Sequence, residues 1–133
     1  MINHSDLDLS ALLEKLSKLD PKLCDRGKDG YNINCYSKSG DRWMSVWLYS
    51  ESFPYELTPK PLAYITAAVQ QAIAAHGATV EIRGGAAGWT AWISSSDCEV
   101  SQKATNSETA IALLSAYVQW LEKLKEAKNH EHV

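Results

Sequence analysis

Residues 79–94 read TVEIRGGAAGWTAWIS, and the fold turns on them. Thr79–Arg83 and Trp89–Ser94 are rich in β-branched and aromatic residues, which suit a pleated, half-buried surface. Gly84, Gly85, Ala86, Ala87 and Gly88 between them form a hairpin loop, the turn chemistry that joins two antiparallel strands. Side chains alternate along a strand, so Trp89, Ala91 and Ile93 share one face while Trp92 and Thr90 share the other. A phosphate-binding glycine loop would instead run from a strand into a helix, so these glycines serve the turn.

Upstream of the hairpin, Pro61 opens a helix through Leu62, Ile65, Val69 and Ile73, with Gly77 as its C-terminal stop. Alanines at 67, 68, 72, 74 and 75 make this helix thin and able to approach a neighbour closely. Downstream, Glu99–Lys103 reads as a further strand. A last helix is expected to start at Thr105, whose spacing to Glu108 is that of a capping box. Ala110, Ile111, Leu114, Tyr117, Val118, Leu121 and Leu124 give this helix an apolar face, and residues 126–133 read as a frayed tail.

Farther upstream, Leu9, Leu12, Leu13, Leu16 and Leu19 recur at helical spacing, predicting an amphipathic helix from Asp6 to Leu19 that Asp20 and Pro21 terminate. Lys22–Gly30 reads as a polar turn. Tyr31–Tyr36 and Trp43–Tyr49 are predicted as a second hairpin around a loop at 37–41, and 52–60, with Pro54 and Pro59, as a connection. The order is helix, two strands, helix, two or three strands, helix. It predicts one α+β domain over residues 1–133, an antiparallel sheet of four or five strands packed with three helices. Leu12, Leu16, Ile73, Ile82, Leu114, Val118 and Leu121 are its expected core.

The 133 residues are 45% hydrophobic and 22% charged, close to globular averages, and no apolar run is long enough to span a bilayer. The N-terminus lacks the basic and apolar regions of a signal peptide. Cys24, Cys35 and Cys98 lack the close spacing of zinc or redox sites, so reduced thiols in the cytoplasm are expected. The formal net charge is −3, and residues 61–124 hold only Arg83, Lys103 and Lys123 against five acids. Phosphate contacts need a stripe of cations, so direct nucleic-acid binding is not expected, nor is a membrane partner.

Helix, three strands, helix over residues 61–124 is the order of the double-stranded RNA-binding domain. That family carries a lysine cluster where this chain has Ala104, Thr105, Asn106, Ser107 and Glu108, which argues against RNA binding by this mode. Thr105, Glu108 and Ala110 resemble the helix opening of HicB-type antitoxin domains. Trp89, Thr90, Ala91 and Trp92, followed by Ala110 and Ile111, resemble small phage-encoded α/β sandwich proteins. That resemblance implies a protein that acts by occupying a component of a host defence system, in the manner of CRISPR inhibitors.

No catalytic constellation emerges. His76 sits at a helix end, where an imidazole suits the helix dipole. Cys98 lies beside Asp97 and Glu99, which disfavour a thiolate. Asp6 with Asp8, and Asp25 with Asp29, lack calcium-loop spacing. No enzyme, metal or cofactor is therefore expected.

Four of the five tryptophans lie on the two hairpins, at 43, 47, 89 and 92. If Met44, Val46 and Leu48 face the core, Trp43, Trp47 and Tyr49 point away from it. Two readings stay open. The N-terminal helix covers these rings, or they form an aromatic contact surface for a protein partner or a second copy of the chain. The second reading makes Trp92, Trp43, Trp47 and Tyr49 the partner-binding residues of a non-enzymatic binding protein. Its rivals are an antitoxin or immunity protein, and a small-ligand binder whose aromatic face forms a pocket.

Overall fold

The computed structural model describes residues 4–36, 41–49, 59–86, 88–95, 102–106 and 109–131, with side chains described at 11–36, 41, 45–48, 63–86, 88–95 and 109–126. The elements are α1 (His4–Leu19), β1 (Cys24–Arg26), β2 (Gly30–Tyr36), β3 (Arg42–Tyr49), α2 (Pro59–Ala75), β4 (Thr79–Gly85), β5 (Gly88–Ser94), β6 (Gln102–Asn106) and α3 (Thr109–Glu131). The fold is α+β and every strand pairing is antiparallel. The strands, however, form two sheets of three, β1-β2-β3 and β4-β5-β6, and not the single sheet that the sequence predicted.

The extra strand is β1, which the sequence reading took as part of a polar turn. Cys24–Arg26 is too short to show alternation, and pairing with Ile33, Asn32 and Tyr31 defines it. Thr105 is also reassigned. It lies in β6 opposite Thr90, so the capping-box start fails and α3 begins at Thr109. A local capping signal has yielded to non-local pairing with β5. At its other end α3 continues to Glu131, beyond Lys125.

The α2 stop is as predicted. Gly77 takes φ +74°, and Gly77 N–H donates to Ala74 O at 2.9 Å while Ala78 N–H donates to Ile73 O at 3.2 Å. This pair of bonds satisfies carbonyls that the helix end would leave orphaned, with glycine in the left-handed position.

α3 joins the two halves. It packs on β5 and β6, and also on α1 and α2. From Ala110 to Leu121 all but Ser115 and Gln119 are buried, including Trp120 at 1% exposure. The single apolar face predicted for it is too narrow: Ala112, Leu113, Ala116 and Trp120 fill the other side, as in a helix enclosed all round. Leu16, Ile73, Leu114, Val118 and Leu121 are core as expected, while Leu12 and Ile82 are partly buried against it.

Polar ties complete the frame. Asp20, which ends α1, accepts from Leu23 N–H at 3.3 Å and from Tyr117 OH on α3 at 2.9 Å. Glu14 on α1 accepts from Tyr31 OH at 2.7 Å and from Arg26 at 2.6 Å. α1 thus lies on the face of the first sheet that carries Tyr31 and Cys24. Tyr31 pairs with Leu48 and Asn32 with Trp47, so α1 is on the opposite face from Trp47 and does not cover that ring.

Candidate partner-binding surface

The second sheet has one wet face, and its register explains why. Gly85 pairs with Gly88, so Arg83 stands opposite Thr90 and Glu81 opposite Trp92. Ala91 and Ile93, fully buried, face α3, whereas Thr79, Glu81, Arg83 and Ser94 are exposed on the other side. Trp92 belongs to this outer face, as its strand phase predicted, and Lys103 holds the position across from it in β6.

Trp92 has a charged neighbour on its own face. The Arg83 guanidinium lies over its ring at 5.5 Å, a cation–π arrangement, and leaves it half-buried. Arg83 in turn donates from Nε to Glu81 Oε1 at 2.7 Å, with Nη2 2.6 Å from the same oxygen. Arg83 and Glu81 are the surface residues that sequence reasoning missed. Treating Gly84–Gly88 as one long loop hid the register, whereas the closing pair Gly85 and Gly88 places Arg83 diagonally across from Trp92.

Trp89 shares the inner phase of Ala91 and Ile93 yet is 42% exposed. It stands beside the hairpin, and its ring lies on Gly84 opposite, where a Cβ would come within 2.9 Å of it. Trp47 repeats this device in the first sheet: it is 38% exposed and its indole lies on Gly27 so closely that a Cβ there would overlap the ring. Trp43 and Tyr49 have their backbones in β3, and their side chains lie outside the described residues, as do Cys98, Asp97, Glu99 and Glu108.

Beside the first sheet a cleft of about 750 Å³ opens between α2, the α1–β1 turn and the end of β2. Ala68, Ala72 and Ala75 leave the room, and Asp20, Lys22, Asn34, Tyr36, Gln71 and His76 supply polar groups. Asn34, only 4% exposed, donates to Lys22 O at 3.0 Å and accepts from Asn32 at 3.0 Å. Lys22 Nζ lies 4.5 Å above the Tyr36 ring. The exposed His76 stands edge to face with Trp120, their centroids 5.1 Å apart.

Burial, reinforced by Asp20, Asp25 and Glu14, pushes the Cys24 thiol up to about 12, and burial raises that of Cys35. Both are free, and buried protonated thiols are poor nucleophiles. Among the described residues no group of three His, Cys, Asp or Glu could hold a metal ion, and no helix is long and apolar enough to cross a membrane. No protein-family model matches the chain, and neither does any curated protein or solved structure.

Proposed function

We propose that the protein acts without chemistry of its own, by occupying the surface of a protein partner through the outer sheet faces. The carrying observation is the placement of large aromatic rings at the surface: Trp47 at 38% exposure, and Trp92 half-buried under Arg83 among exposed polar residues. Tryptophan and arginine are the residue types that dominate binding hot spots, because they bring large area and directional contacts at once. Trp43 and Tyr49 in β3 belong to the same reading. The resemblance of Trp89–Trp92, with Ala110 and Ile111, to phage-encoded sandwich proteins implies a component of a host defence system as the partner.

The test is capture from a host lysate by the wild-type protein and by Trp92→Ala and Trp47→Ala, with folding checked by circular dichroism. One stoichiometric partner that both folded variants lose, by about 2 kcal/mol or more in titration, supports the reading. Equal capture by all three proteins, or no partner at all, refutes it.

The cleft favours a second reading, a binder of small polar molecules, because its volume lies in the range of about 300–1,000 Å³ usual for ligand sites. A ligand retained through purification and lost in Gln71→Leu would support this reading against the first.

A further inference from the structure

We propose that β4 is a self-association edge, at which a second copy of this chain adds its own β4 antiparallel to the first. This inference does not rest on the aromatic surface, since it concerns the rim of the second sheet and its backbone.

Sheet edges present unpaired N–H and C=O groups, and proteins blunt them by shortness, irregularity, lysine or proline. The first sheet follows that rule: β1 has 3 residues, and the pairing of β3 with β2 is irregular at Cys35 and Tyr36. β4 does not. Its seven residues pair with β5 without a register shift, contain neither proline nor lysine, and meet no other strand on their far side among the described residues. Glu81, Arg83, Gly84 and Gly85 are exposed there, and Val80 and Ile82 are only partly buried.

The register of such a pair follows from the hairpin. In a two-residue hairpin the closing residues, here Gly85 and Gly88, exchange both backbone hydrogen bonds, and bonded pairs then alternate with unbonded ones. Arg83, Glu81 and Thr79 therefore turn their backbone groups toward β5, while Val80, Ile82 and Gly84 turn theirs outward. Two copies related by a two-fold axis at Ile82 join Ile82 to Ile82 and Val80 to Gly84.

The same register sets Glu81 opposite Arg83 of the other copy, twice, in the unbonded pairs where side chains come closest. A shift by one step either way sets Glu81 against Glu81, or Arg83 against Arg83. Charges that otherwise guard an edge are thus self-complementary in this one register. The partly buried Val80 and Ile82 gain apolar cover from their counterparts, and the outer faces that carry Trp92 become continuous.

Sedimentation equilibrium of wild-type protein, Glu81→Arg, Arg83→Glu and the double exchange tests this, with circular dichroism confirming the fold of each. Concentration-dependent dimerisation is expected for wild type, weakened about tenfold in either single variant and restored in the double exchange. Hydrogen exchange at Val80, Ile82 and Gly84 should slow as protein concentration rises. A wild type that stays monomeric into the millimolar range overturns the proposal. So does a dimer indifferent to these charges, or one that leaves those three amides unprotected.

Discussion

The two sheets share a topology and differ in how they are held. In the second, Ala91 and Ile93 are buried against α3 while Glu81 and Arg83 stand in water on the other phase. In the first, the central strand is buried at Gly30, Tyr31, Ile33, Asn34 and Cys35, on both phases at once. The asparagines of β2 look like an open face in the sequence, yet Asn34 is enclosed with its amide satisfied by Lys22 and Asn32. Alternation of polarity reports which side chains need hydrogen bonds, and those bonds can come from protein as well as from water.

α3 packs directly on the second sheet and reaches the first through α1 and α2, so removing its largest ring should reach both. Trp120→Ala is expected to cost about 3–5 kcal/mol in denaturant melts, with amide protection falling in both sheets together. Loss confined to one sheet would break the shared-wall account. Leu114→Ala belongs to the same class, at about 2–5 kcal/mol.

Next in size is Asn34→Ala, expected to cost about 1–3 kcal/mol because it removes a buried amide that bonds both Lys22 O and Asn32. A variant as stable as wild type in urea would show that Asn34 is wetter than its 4% exposure implies.

Alkaline pH should separate the sheets further. The folded state holds Cys24 at about 12 against an ordinary 9.0, and Tyr31 at about 12 against 10.0, with burial the first cause in each. Both groups are neutral when protonated. Their stabilisation is complete below pH 9 and is lost as the pH rises toward 12, with a slope of up to about 1.4 kcal/mol per pH unit for each group. Thermal melts from pH 8 to 11 should show this decline, and Cys24→Ala should flatten it. Tyr117, raised by burial and by Asp20, adds to the same trend.

The smallest effects lie at the surface. Gly27→Ala and Gly84→Ala must displace the outer ends of the Trp47 and Trp89 rings, the far ends of side chains that are 38% and 42% exposed. The stability change should stay below about 1 kcal/mol while tryptophan fluorescence shifts to the red. Arg83→Ala removes an exposed ion pair worth about 0–1 kcal/mol and should leave the melt nearly unchanged.

The helices and both long hairpins were legible because Leu13, Leu16, Ile65, Val69 and Ile73 carry strong periodicity and glycine marks the turns. β1 was not legible: three residues hold no pattern, and its existence depends on what β2 offers. The start of α3 was misread because Thr105 and Glu108 imitate a cap, and only β5 shows that Thr105 belongs to a sheet. Of the candidate surface, the phases of Trp92 and Trp47 were legible from alternation. The guanidinium over Trp92 depends on cross-strand register, which the loop length concealed.

The bond from Tyr117 to Asp20 has a temporal consequence. In the order of synthesis, α3 follows everything it supports: α1, α2 and the second sheet must wait for a wall made after them. The inner face of the second sheet, and the sides of α1 and α2 that α3 covers, therefore stay unprotected while the ribosome is still adding residues 109–121. Closing a loop of this span carries an entropic cost that no local contact offsets. Folding should then be late and abrupt, and a nascent chain halted before Leu113 should depend on chaperones for its survival.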